Sequence, residues 1–193
     1  MADTVVMDIP EIYSRCSAAF ADRVHLVGDR WNAPSGLPGW DVRTLVNHLV
    51  NEERWTPELF SGATIDSVGD RFDGDLLGDD PVSVFDQAAA IALQSICGQG
   101  AMERTVHLSF GDRPGSEYAL QLSADHLVHA WDLARALGTD DALDPDIVEI
   151  LLPWYTYETE ELYHRIKVIG PRAETPPGAG AETELLARFG REQ

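Results

Sequence analysis

Cysteine is scarce in this chain, and the scarcity limits what the protein can be. Cys16 and Cys97 are the two thiols among 193 residues, far apart and without a C-x-x-C or zinc-knuckle spacing. That excludes a disulfide framework and suits a reducing cytoplasm, where both act as small hydrophobes. Basic residues are scarce too. Fourteen Lys and Arg stand against 33 Asp and Glu, for a net charge of −19. A field of that sign repels phosphate backbones and anionic headgroups, so neither nucleic acid nor membrane is an expected partner. No apolar run approaches the ~20 residues of a membrane span. The first ten residues already hold Asp3 and Asp8, and they lack the basic and apolar regions of a secretory signal. A cytoplasmic protein is the expectation.

What is present is an ordinary globular composition, 44% hydrophobic, enough for one well-buried core with a tail. Pro10 opens a first long helix that the apolar run Ile12, Phe20, Val24, Leu26 and Val27 carries to about Arg30 or Trp31. The turn-rich segment 32–39 ends it. Asp41 is a good N-cap for a second helix, with Val42, Leu45, Val46 and Leu49 as its core stripe and Pro57 bending or ending it near Gly62. The Asp- and Gly-rich stretch 63–80 misses the calcium-loop pattern and reads as a solvated loop. Pro81 opens a third helix, ending by Gly98 or Gly100. Residues 105–110 alternate with period two, as a short strand does, and 111–115 read as a turn. A fourth helix runs from about Ser116 to Leu137, and a fifth from Asp144, kinked at Pro153. A linker-like stretch, 170–180, precedes a last short helix, 182–189. The sum is an all-α bundle.

The chemistry gathers on the fourth helix. Leu122, Asp125, His129, Asp132, Leu133 and Ala136 share one face, the face that should be buried. Ionised carboxylates are almost never buried unless paired or bound to metal. Asp125 and His129 are four apart, so their side chains stack and can converge on one ion. His48 flanks the core stripe of the second helix among Asn47, Asn51, Glu52 and Glu53. Taken alone, it reads equally as a structural histidine or a ligand. His25, alone on its helix, reads as structural or exposed. Two imidazoles and one carboxylate match an open zinc site or an iron(II) facial triad. Spacing by itself fits a buried hydrogen-bonded pair as well.

Two strings carry more. Leu37-Pro38-Gly39-Trp40-Asp41-Val42-Arg43-Thr44-Leu45-Val46-Asn47-His48-Leu49 and D-x-L-x-H-A-W-D-L-A-R-A-x-G over Asp125–Gly138 resemble the actinobacterial metal-binding branch of the DinB superfamily. That branch is similar to the N-terminal domain of mycothiol-dependent maleylpyruvate isomerase, and the end of the chain, 184–191, fits it too. The resemblance implies an all-α, DinB-like four-helix bundle with an extra C-terminal helix and short extended excursions in its loops. It would fill residues 1–169, with 170–193 a linker and a helix packing on the bundle. It implies a divalent metal, usually zinc, with iron or nickel as alternatives, held by one His on the second helix and an acid-x-x-x-His pair on a later one. Those positions map onto His48, Asp125 and His129. Asp125 stands where much of the superfamily has a histidine and the isomerase a glutamate. His126 competes for the same role from about 100° round the helix. Asp125 is the expected ligand, and Asp132 the acceptor for a ligating imidazole N–H, unless it caps the helix or pairs with Arg135 or Arg43.

The function implied is activation of a low-molecular-weight thiol, mycothiol as cosubstrate, for S-transfer or isomerisation of an electrophilic substrate. Metal-bound hydroxide attacking an amide or ester is a second chemistry of such a site. A non-catalytic, stress-related or accessory metal-binding protein is the alternative. A homodimer is allowed. The stretch after the bundle is too short for the isomerase's separate C-terminal domain, so isomerase activity is not expected to carry over directly.

Overall fold

The computed structural model describes residues 7–166 and 168–192. The chain is helical, with one small two-stranded sheet among the described residues. It divides into two units, one within residues 6–141 and the other within 142–193.

The first unit is built on four long helices. They are α1 (Ile9–Val24), α2 (Val42–Phe60), α4 (Pro81–Ile96) and α5 (Gly115–Leu137), with a single turn, α3 (Ile65–Val68), between α2 and α4. Helix α1 packs on α5 and α4, and α2 on α4 and α5, closing a four-helix ring. Local chemistry sets the starts. Asp8 accepts from the Glu11 amide at 2.9 Å and Asp80 from the Ser83 amide at 3.2 Å, each just ahead of a proline in the first turn. Asp41 accepts from both the amide and the hydroxyl of Thr44, at 2.8 and 2.6 Å. Pro57 sits in the last turn of α2, which ends at Phe60.

The first helix is shorter than its apolar run. It stops at Val24, and Arg30–Asn32 form a separate 3₁₀ turn. Gly28 lies between them at φ +61°, a left-handed conformation no helix can carry through. The expected strand is β1 (Thr105–Leu108), but its partner β2 (Gly111–Pro114) occupies what reads as a turn. Thr105 faces Pro114 and Leu108 faces Gly111, so Ser109 and Phe110 alone make the reversal. Helix α5 then starts against the ribbon. A Cβ on Gly115 would lie 2.0 Å from the Ala101 carbonyl oxygen and 2.8 Å from the Phe60 ring, so this junction requires glycine.

The core runs through the ring in two apolar clusters. One holds Phe20, Val46, Leu49, Phe85, Ala130 and Leu133, and the other Tyr13, Leu59, Phe60, Ile96, Tyr118 and Leu122. On α2 and α5 the stretches between these clusters carry Glu53 and His126, both buried.

The second unit contains α6 (Pro145–Trp154), α7 (Tyr157–Arg165) and α8 (Ala181–Arg188). The helix expected to kink at Pro153 is instead two helices. Tyr155 leaves the helical conformation at ψ 74°, and the Thr156 hydroxyl caps a fresh start by accepting from the Thr159 amide at 3.3 Å. Tyr155 stacks on Phe189 at 4.4 Å, and Arg188 donates to the carbonyls of Leu152 and Tyr155. The linker-like stretch is tied down by Arg172, which pairs with Glu160 and Glu184.

Candidate metal centre

Trp40 and the start of α2 are fixed together. Ser35 and Val42 donate their amides to the carbonyls of Trp40 and Ala33, at 3.1 and 2.9 Å, holding the loop against the Asp41 cap. From there Leu45 and Leu49 point into the core and His48 falls on the flank facing α5. On α5, Leu122, Ala130 and Leu133 are buried, which turns Asp125 and His129 toward α2.

The three side chains meet. His48 Nε2 lies 3.1 Å from Asp125 Oδ2, and His129 Nε2 lies 3.4 Å from Asp125 Oδ1. One donor atom from each falls within 4.8 Å of the others, a group that could hold a metal ion. The two imidazoles stand edge to face at 5.1 Å, and the Trp40 ring stacks over His129 at 6.3 Å. His129 is nearly buried at 9% side-chain exposure, while His48 and Asp125 keep 29% and 31%. The group is therefore closed on the helix side and reachable from solvent on the other.

Asp132 settles the orientation of His129. Its Oδ2 lies 2.8 Å from His129 Nδ1. A carboxylate only accepts, so Nδ1 carries a proton and Nε2 is the nitrogen turned toward Asp125 and His48. Arg135 and Arg43, the other partners considered for Asp132, pair instead with Asp141 and Asp75. Burial alone would raise the Asp125 carboxyl, but the imidazoles of His48 and His129 overcome it and hold the group ionised, below the usual carboxylate range. Burial pushes His129 down, and its carboxylate neighbours only partly restore it. An ionised carboxylate beside a neutral imidazole is the protonation pattern metal ligation needs. Two imidazole nitrogens and one carboxylate oxygen fit zinc or iron(II), with positions left open.

His126 points elsewhere. Its Nε2 meets Glu53 Oε1 at 2.6 Å, its Nδ1 meets the Leu122 carbonyl at 2.8 Å, and Tyr13 donates to the second Glu53 oxygen at 2.5 Å. Two protons face two acceptors on the His126 side, so the ring is the imidazolium. Burial opposes that charge, and the Glu53 carboxylate overcomes it. His25 is exposed and pairs with Asp86.

Glu52 and Tyr118 were not singled out as site residues in the sequence. Both lie on the site face, Glu52 one turn beyond His48 and Tyr118 two turns before Asp125, and those offsets of four and seven were the available signal. Burial pushes the Glu52 carboxyl up to about 6, with Asp125 adding to the rise and His48 opposing it. Two cavities adjoin here and share Asn51. The first, of about 250 Å³, is lined by His48, Trp40, Thr44 and Asn47. The second, of about 160 Å³, is lined by Glu52, Trp55, Phe110 and Tyr118.

Comparison with known proteins agrees with this architecture. Residues 13–134 match the family model of the mycothiol maleylpyruvate isomerase N-terminal domain. Two proteins of Mycobacterium tuberculosis, from strains CDC 1551 / Oshkosh and ATCC 25618 / H37Rv and both described as uncharacterized, are 31% identical over 146 residues. That span covers 73% of this chain and 74% of each relative. No solved structure matches the chain.

Proposed function

Because the chain belongs to the mycothiol maleylpyruvate isomerase N-terminal domain family, we propose that it is a metal-dependent enzyme that activates a low-molecular-weight thiol of the mycothiol type. His48, Asp125 and His129 hold the ion, zinc by preference, with iron or nickel fitting the same donors. The observation that carries this reading is the convergence of those three donor groups within 4.8 Å on the solvent-reachable side of α2 and α5. A divalent cation there supplies one thing, a lowered thiol pKa that leaves the sulfur nucleophilic near neutral pH.

The chain's own residues do the rest. Asp132 fixes the His129 tautomer and ring plane through its 2.8 Å contact at Nδ1. Trp40 covers both imidazoles, at 5.4 and 6.3 Å, and keeps water from that side. Asn47 and Asn51 hold the 70s loop over the mouth, donating to the carbonyls of Gly74 and Phe72. The cavity beside His48 gives a thiol its approach. Transfer of the thiol to an electrophile, or cis–trans isomerisation through addition and elimination, are the reactions such a site serves.

A cobalt(II)-loaded sample titrated with mycothiol tests the reading. A near-ultraviolet sulfur-to-cobalt charge-transfer band that saturates with thiol is expected. A protein that loads cobalt through these residues but gives no band at any thiol concentration would instead be a metal-binding accessory protein.

A further inference from the structure

The second cavity beside the triad has a chemistry of its own. Trp55, Leu59, Leu108, Phe110 and Tyr118 wall it, and its volume is about 160 Å³. An apolar cavity of about 150 Å³ accommodates a benzene ring. Among the described residues that line it, Glu52 is the one that carries a charge, and that charge is negative. The nearby cations have partners of their own, and Arg113 also lies over the Phe110 ring at 5.4 Å. Arg113 pairs with Glu117 at 3.0 Å, and Arg71 with Glu58 at 2.5 Å. Asn51 lines both this cavity and the one beside His48, and Glu52 in this cavity stands one turn beyond His48 on α2.

We propose that this cavity is the acceptor subsite of the thiol reaction and takes an uncharged, single-ring apolar group, excluding carboxylates. The proposal rests on the metal-and-thiol reading above, but its selectivity comes from the cavity alone. Maleylpyruvate, the dicarboxylate in the family's name, is the wrong kind of guest here. A carboxylate entering against Glu52 meets a like charge and finds no guanidinium or ammonium among the lining residues. A neutral ring meets aromatic edges and faces on several sides.

Benzamide and benzoate differ in little but charge, so ligand-detected NMR with metal-free protein at pH 8, where no zinc can capture the benzoate carboxylate, tests this directly. Benzamide is expected to bind about tenfold or more tightly than benzoate. Glu52→Gln should narrow that gap, and Leu108→Trp, which fills the cavity, should abolish benzamide binding. Benzoate binding equal to or tighter than benzamide in the wild type overturns the proposal, as does benzamide binding that survives Leu108→Trp in a folded protein. Zinc uptake is read on separate zinc-loaded aliquots of the same proteins. Loss of zinc binding with ring preference intact counts against the metal reading and leaves the cavity's selectivity standing, so the two failures are distinguishable.

Discussion

Glu53 Oε1 and His126 Nε2 lie 2.6 Å apart with neither side chain exposed to solvent. Each is the immediate neighbour of a site-facing residue, Glu52 on α2 and Asp125 on α5. Consecutive helical residues diverge by about 100°, so one pair of neighbours looks into the core and the other toward the triad. The buried ion pair and the candidate metal centre are thus two faces of one helix contact.

Removing one half of the buried pair should be costly. Glu53→Ala strands the His126 ring and the Tyr13 hydroxyl in the core, and a loss of about 3 kcal/mol in denaturant unfolding is expected. Replacing the whole group by Tyr13→Phe, Glu53→Leu and His126→Leu together should recover most of it, because no polar atom is then left unpaired. If the triple variant is no more stable than Glu53→Ala, the group contributes packing that apolar side chains cannot reproduce.

Asp132 offers a test of tuning without ligation. Asp132→Ala frees the His129 ring to rotate and removes the acceptor at Nδ1. Zinc affinity, measured by competition with a chromophoric chelator, should fall about 10- to 100-fold with the fold retained. An unchanged affinity would mean that the 2.8 Å contact plays no part in presenting Nε2.

Much of this was legible in the sequence. The cap at Asp41, the prolines at 10 and 81 and the stripe Val42, Leu45, Val46 and Leu49 act locally, and the helices form where they point. The paired motifs around His48 and Asp125 named the family. Less visible was anything that depends on the rotation of one helix against another. The sequence could not say whether Glu52 or Glu53 faces the core, since neighbouring acids look alike until α5 supplies His126 to one of them. The break at Tyr155 and the return strand at Gly111–Pro114 were missed for a related reason. A proline predicts a disturbance but not its size, and a two-residue reversal leaves little room for turn residues of its own.

Glu52 gives stability a pH dependence of known sign. Its carboxyl titrates near 6 in the fold against an ordinary 4.5, so between those values the folded state holds a proton that the unfolded chain has released. Stability therefore falls as pH rises through that window, and is unaffected by this group below it. In metal-free protein Glu52→Gln should be more stable than wild type at pH 7 to 8 by about 1–2 kcal/mol. The two should converge below pH 4.5. A variant less stable than wild type at pH 8, by urea unfolding, would contradict the buried-acid account.

The central claim is that His48, Asp125 and His129 form one metal site, and elemental analysis of tag-free protein tests it most directly. Wild type is expected to carry about one equivalent of a divalent metal, zinc foremost. His48→Ala, Asp125→Ala and His129→Ala should each lose it while remaining helical by circular dichroism. Wild type and His48→Ala carrying the same trace metal would contradict the account.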